Sequence, residues 1–205
     1  MARVRVPKLS TNHFLRGKSG YIMGPSGISR RIQQCIAHYS QQDYEGALVN
    51  LFPAIDKTAS KRHPKLKVGP RIRKFLDEEM ILITATSTGG VFRGLNINGV
   101  SIEDAIYKFG RTSVMHEGEI DPRLTFTGSG SVMISEDDWR LPTPFILGMT
   151  LAVILSPENS KEKIDPEICI NINGHRLLVN DCWGKPEKIQ ELINRKFGRQ
   201  ILGAT

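Results

Sequence analysis

The chain has 205 residues, of which 40% are hydrophobic, and a formal net charge of +7. This length and composition allow one domain with a buried core. No N-terminal window combines a basic start, an apolar run and a small-residue cleavage site, and the longest apolar run, "FILGMTLAVIL", is too short to span a bilayer. The sequence therefore argues against secretion and membrane insertion, and its positive charge favours polyanion partners.

The first segment, residues 1–27, is predicted to be an irregular basic arm, because it has no sustained apolar period. Its cations are Arg3, Arg5, Lys8, Arg16 and Lys18. Apolar residues then recur at helical spacing in three stretches. The predicted helices cover residues 29–39, 43–63 and 68–82.

A fourth helix is predicted over residues 102–117. The turn dipeptide Asn98-Gly99 precedes it. Ser101 and Asp104 form a capping-box pattern at its start, and Gly118 provides the usual left-handed stop at its end.

The C-terminal half is predicted to contain two hairpins and two further helices. The first hairpin is "RLTFTGSGSVMIS", turning around residues 128–130, and the second joins "ICINI" to "HRLLV" through Asn173-Gly174. The helices cover residues 142–155, which is predicted to be buried, and 186–198. The predicted class is mainly α, with about five helices in a bundle decorated by two β-hairpins.

Several motif-like stretches do not meet the requirements of the sites they suggest. "RGKSG" at residues 16–20 lacks the glycine that a phosphate-binding loop needs at position 12. The histidines show no metal-ligand spacing, so neither a metal nor another cofactor is predicted. The three cysteines, Cys35, Cys169 and Cys182, are an odd number without a C-x-x-C pair, which favours a reducing cytoplasm.

The end of the fourth helix carries the best candidate site. At about 100° per residue, Arg111, Lys108, Thr112 and His116 fan out beside the apolar face formed by Ile102, Ile106 and Phe109. A histidine can move a proton from a ribose 2′-hydroxyl while an arginine stabilises the phosphate. We therefore interpret Arg111 and His116 as a candidate catalytic pair, and Lys108 and Thr112 as substrate-binding residues that need no metal.

The spacing alone is weak evidence, because Arg31 and His38 form a similar pair in the same chain. A purely structural role for His116, buried against the core with a protein hydrogen-bond partner, stays open at this stage.

The stretch "EDAIYKFGRTSVMHEG" resembles the signature of HEPN domains, which are helical bundles named for nucleotide binding in prokaryotes and higher eukaryotes. In that family an arginine, a polar residue, a few other residues and a histidine follow an apolar-aromatic lead such as "AIYKFG". The upstream "ALVNLFPAIDKTASKRH" is similar to the paired helices that precede the motif. The resemblance covers roughly residues 29–155.

The resemblance implies a HEPN-like bundle over residues 28–160, between the arm and a C-terminal hairpin and helix over residues 161–205, in a single domain. It also implies that Arg111 and His116 are the catalytic pair of a metal-independent endoribonuclease. The expected partners are RNA, a second copy of the chain in a homodimer, and a protein regulator, in a toxin or phage-defence role. Family members often place Asn, Asp or His after the arginine, where this chain has Thr112.

Two alternatives remain beside this interpretation. The first is a non-catalytic HEPN-type module that binds RNA or nucleotide, or regulates a partner. The second is an interaction protein whose basic arm aids solubility or docking.

Overall fold

The helices of this protein cover more than half of the residues that its computed structural model describes. That part comprises residues 26–128, 130–135, 138–172 and 174–203, together with the backbone of residues 4–5. The α-helices are α1 (Gly27–Ser40), α2 (Tyr44–Arg62), α3 (Val68–Ser87), α4 (Ile102–Ala105), α5 (Ser113–His116), α6 (Pro144–Leu155) and α7 (Glu187–Phe197). A π-helical segment, Ile106–Thr112, joins α4 to α5. The predicted mainly α class is confirmed, and α4, the π-helical segment and α5 together form the predicted fourth helix.

Short strands complete the described fold. They are β1 (Val4–Arg5), β2 (Asn96–Ile97), β3 (Val100–Ser101), β4 (Leu124–Thr127), β5 (Met133–Ser135), β6 (Asp138–Pro142), β7 (Cys169–Ile172) and β8 (His175–Leu178). Most of the predicted basic arm, residues 1–27, lies outside the described residues. Two of its parts are described: the backbone of β1 pairs with β7, and Gly27 begins α1.

The first two helices start at side-chain caps. Ser26 Oγ accepts hydrogen bonds from the backbone N–H groups of Ile28 and Ser29, at 3.1 and 3.3 Å. Asp43 accepts one from the N–H of Gly46 at 2.9 Å. Each cap satisfies a donor that has no partner within its helix.

Helix α3 continues five residues beyond its predicted end at residue 82. This added part is buried in the core, as Thr84, Ala85 and Ser87 show, and its hydroxyl groups are satisfied within the helix because they donate to carbonyls of the preceding turn. Thr84 Oγ1 donates to Met80 O at 2.8 Å, and Ser87 Oγ donates to Ile83 O at 2.7 Å.

Helix α6 is the central helix of the described fold. All of its residues from Phe145 to Leu155 are buried, as predicted, which explains why its sequence has no polar face. The helix begins at Pro144 rather than at residue 142, because Leu141 and Pro142 belong to β6. In the described part of the chain, no helix is both long and apolar enough to cross a membrane.

The first predicted hairpin is wrong. Strands β4 and β5 do not pair with each other; β6 lies between them, parallel to β4 and antiparallel to β5. The reason is the alternation along β6, where Trp139 and Leu141 are buried and Arg140 is exposed. Burying two large apolar side chains makes β6 the central strand of this small sheet.

The second predicted hairpin is confirmed. Strands β7 and β8 pair antiparallel, with Cys169 opposite Leu178 and Ile172 opposite His175. Gly174 in the turn has a φ of 87°, which only glycine adopts without strain. The earlier Asn98-Gly99 dipeptide likewise joins β2 to β3.

The C-terminal segment shares the hydrophobic core of the helices. Ile170 of β7, Trp183, and Ile189 and Ile193 of α7 are buried in the same cluster as the apolar residues of α2, α3 and α6. Helix α7 ends at Gly198, which is in the left-handed conformation.

Candidate functional site

The candidate site lies on the helical run from Ile102 to His116. Its start is fixed as predicted, because Ser101 Oγ accepts from the N–H of Asp104 at 3.2 Å and donates to Asp104 Oδ2 at 3.1 Å. Its end is followed by Gly118, with a φ of 83°. The run is continuous but not uniformly α-helical.

The π-helical segment is explained by the packing of Gly110 and by a side-chain hydrogen bond of Thr112. A Cβ atom on Gly110 would lie 2.8 Å from Phe52 Cζ and 3.1 Å from Leu124 Cδ2, so glycine lets the segment approach α2 and β4. The Thr112 hydroxyl donates to Tyr107 O, five residues earlier, at 3.0 Å. Such π segments occur frequently at functional sites.

The wider turn changes the angular positions that uniform α-helical spacing predicts. A π turn holds more residues than an α turn, so each residue from 106 to 112 rotates by less than 100°. Lys108 and Arg111 are therefore further apart around the axis than predicted. From Thr112 to His116 the run is α-helical and the predicted spacing applies.

His116 is exposed, and it makes no hydrogen bond or ion pair with any residue in the described ranges. The alternative of a buried histidine with a protein hydrogen-bond partner is therefore excluded. Met115 beside it is 47% exposed, as is Met133 elsewhere in the described fold. The sequence prediction did not single out Met115.

Arg111 is half-buried, and its guanidinium carbon lies 5.9 Å from the centroid of the Tyr107 ring. A second guanidinium, that of Arg73 in α3, lies 4.8 Å from the same centroid. The four-residue spacing of Tyr107 and Arg111 could have indicated their contact. The contact with Arg73 could not be found from the sequence, because it depends on how α3 packs against the run.

The two predicted substrate-binding residues differ in whether their side chains are free to donate to a substrate. Lys108 is exposed, whereas the hydroxyl proton of Thr112 is already donated to Tyr107 O. Lys108 and Arg111 are therefore better placed than Thr112 to donate to a phosphate.

The loop after the run folds back onto it. Asp121 N donates to Phe109 O at 3.0 Å, and the Arg123 guanidinium lies 4.2 Å from the centroid of the Phe109 ring. Arg123 also donates two hydrogen bonds to the Asp121 carboxylate, which lower the pKa of Asp121. The loop is thereby fastened beside the site.

The similar pair, Arg31 and His38, has protein partners instead. Arg31 donates to Asn50 Oδ1 at 3.0 Å, and His38 Nδ1 lies 2.7 Å from Asp43 Oδ2. Hydrogen bonds from the Gly46 N–H and from His38 lower the pKa of Asp43. The two pairs match in sequence spacing but differ in their surroundings.

The described residues contain no group of three or more His, Cys, Asp or Glu side chains that could hold a metal ion. All three cysteines are buried thiols. Burial raises the pKa of the Cys35 thiol to about 12, so it is a poor nucleophile.

The fold and the site define a mainly α-helical protein with cationic and imidazole side chains at the end of one helical run. Residues 27–202 match the model of the family described as Rv1289, so the chain belongs to the Rv1289 family. Two relatives, described as uncharacterized proteins, come from Mycobacterium tuberculosis and Mycobacterium bovis. Each is 25% identical over 186 residues, which cover 82% of this chain and 88% of the relative. No solved structure matches the chain.

Proposed function

We propose that this protein is a metal-independent endoribonuclease of the HEPN type, acting as a cytoplasmic homodimer in a toxin or phage-defence role. The observation that carries the proposal is the exposed His116, without a partner among the described residues, on the same helical run as Arg111. An exposed imidazole that is not engaged by a neighbouring side chain can exchange protons with a bound substrate. The resemblance of "EDAIYKFGRTSVMHEG" to the HEPN signature supports the same assignment.

In the proposed reaction His116 takes the proton of a ribose 2′-hydroxyl. The 2′-oxygen attacks the adjacent phosphorus, and the bond between phosphorus and the 5′-oxygen breaks. The proton that His116 took then passes, through solvent, to the leaving 5′-oxygen, which restores the neutral imidazole, and the other product ends in a 2′,3′-cyclic phosphate. Arg111 stabilises the extra negative charge on the phosphate, and Lys108 orients it.

The spacing of the two residues supports a homodimer. Arg111 and His116 are five residues apart, about 7 Å along the helix axis, and the wider turn at Arg111 leaves them somewhat less than about 140° apart around it. They therefore flank a phosphodiester more easily when a second copy of the run closes the cleft. We place the exposed Met115 side chain, which neighbours His116, in the interface of this proposed dimer.

A non-catalytic RNA-binding or nucleotide-binding module of the HEPN type is the second candidate. The observation in its favour is the hydrogen bond from Thr112 to Tyr107 O, which occupies the hydroxyl proton in the polar position after Arg111. Such a module would bind RNA through Arg111 and Lys108 without cutting it, and a protein regulator could act on it.

Incubation of RNA with purified protein in EDTA tests the proposal. The wild type should cut, and His116→Ala should fold normally but cut at least ~100-fold more slowly. His38→Ala is the matched control, because His38 also lies in the last turn of a helix but is paired with Asp43. Equal cutting by His116→Ala and the wild type, or a need for a divalent ion, would overturn the proposal. Binding without cutting would favour the second candidate.

A further inference from the structure

Two arginines from different helices meet at one aromatic ring. The guanidinium carbons of Arg73 and Arg111 lie 4.8 and 5.9 Å from the centroid of the Tyr107 ring. They are therefore within about 11 Å of each other, whatever the direction of each contact. The ring attracts both cations and offsets part of the repulsion between them.

Both guanidinium groups keep donors for a ligand. The terminal nitrogens of Arg73 and all the nitrogens of Arg111 make no hydrogen bond with a residue in the described part of the chain. Arg73 Nε lies 3.3 Å from Asp104 Oδ1, longer than a typical charge-assisted hydrogen bond of about 2.8 Å. Asp104 thus orients Arg73 through Nε but leaves its two terminal nitrogens available to a ligand.

The ring itself is held closely by α3. A Cβ atom on Gly69 would lie 3.0 Å from the Tyr107 hydroxyl oxygen and 3.4 Å from Arg73 Nη1. Glycine at this position therefore leaves room for the Tyr107 ring to approach the first turn of α3 closely, and Arg73 Nη1 lies at ordinary contact distance from the same point. The Tyr107 ring that both guanidinium groups contact is therefore packed closely against α3.

We propose that Arg73 and Arg111 bind two consecutive phosphates of a single-stranded RNA, with Tyr107 as the residue that positions both. This inference rests on the proposed function, since Arg111 would hold the phosphate that reacts and Arg73 a neighbouring one. Guanidinium groups suit this role because their planar forks match phosphate oxygens. A single strand suits it because its backbone can bend to meet two cations held at one ring.

Binding is measured apart from cleavage, by fluorescence anisotropy of a labelled oligouridylate in the His116→Ala background. Adding Arg73→Ala should weaken binding about 10-fold. It should also reduce the slope of log affinity against log salt by the amount expected for the loss of about one phosphate contact. Lys74→Ala is the matched control, because Lys74 is an exposed cation on the same helix that does not contact the ring. It should change the affinity less than about 2-fold.

Tyr107 is tested with two substitutions in the same background. Tyr107→Phe keeps the ring and should keep the affinity, whereas Tyr107→Leu should lower affinity and salt slope as Arg73→Ala does. Thermal melting followed by circular dichroism identifies any variant that is unfolded, and the salt slope separates lost phosphate contacts from a structural effect.

If adding Arg73→Ala to the His116→Ala protein changed neither its RNA affinity nor the salt slope, this inference would be overturned. That result would not affect the proposal that Arg111 and His116 cleave RNA. Tighter binding of a duplex than of the single strand would also overturn this inference. Failure of the His116→Ala protein and the wild type to bind any RNA would overturn the proposed function as well.

Discussion

Replacing Gly148 by alanine should destabilise the protein through one contact between helices. Gly148 lies in α6, where an added Cβ atom would be 2.8 Å from Ile83 O and 3.1 Å from Ile83 Cα, both backbone atoms of α3. Backbone atoms in the middle of a helix cannot rotate away as a side chain can. The two helices must therefore separate to accept the methyl group.

The size of the effect follows from two opposing contributions. Overpacking of a close-packed core costs typically about 1–3 kcal/mol, and the backbone contact places this site at the upper end. Alanine recovers up to about 1 kcal/mol through its higher helix propensity. The net loss in free energy of unfolding is therefore about 2 kcal/mol, which corresponds to a Tm lower by about 4–8 °C for a chain of this size.

Thermal unfolding followed by circular dichroism measures this loss, and Gly27→Ala is the matched control. Gly27 is also helical, but an added Cβ atom there meets nothing within 4 Å. Its Tm should equal or slightly exceed that of the wild type. A Gly148→Ala protein as stable as Gly27→Ala would refute the close contact between α3 and α6.

Three further predictions concern charge, assembly and the arm. Arg62→Ala should lower the free energy of unfolding, measured by chemical denaturation at neutral pH, by about 3 kcal/mol, because Arg62 forms salt bridges with several carboxylates. The control Arg195→Ala, which removes an exposed salt bridge, should lower it by less than about 0.5 kcal/mol. Burial raises the pKa of Glu79, so in Arg62→Ala this carboxylate, left without its partner, becomes protonated as the pH falls and its unpaired charge disappears. The loss in free energy of unfolding caused by Arg62→Ala should therefore shrink at lower pH, and a loss that grows would contradict this. Met115→Glu should convert a dimer into monomers in light scattering, and a monomeric wild type would count against the proposed assembly. Deleting residues 1–25 should weaken RNA binding and reduce the slope of log affinity against log salt. An unchanged slope would show that the arm does not bind phosphates.

The helices could be predicted from the sequence because their apolar spacing and end signals agree. Ser101, Asp104 and Gly118 bound the fourth helical run as predicted, and α6 is buried as its apolar sequence indicates. The hairpin of β7 and β8 was predictable for the same reason, since alternating isoleucines and an Asn-Gly turn point to one structure.

The remaining features depend on contacts between distant segments. The pairing of β4 with β6 rather than with β5 depends on the burial of Trp139, which a turn signal does not report. The π-helical segment depends on the packing of Gly110 against Phe52 and Leu124. At the candidate site, Arg111 and His116 were found through their motif, but Arg73 comes from another helix and had no signal in the sequence.

The central claim is that His116 takes a proton from a 2′-hydroxyl of RNA. The most direct measurement compares an all-ribose oligonucleotide with the same strand carrying one 2′-deoxy sugar at the scissile nucleotide, both incubated with wild-type protein in EDTA. Mass spectrometry of the products should find a 2′,3′-cyclic phosphate from the first strand and no cut at that position in the second. Cleavage at the deoxy position would contradict the claim, because that strand has no 2′-hydroxyl proton for His116 to take.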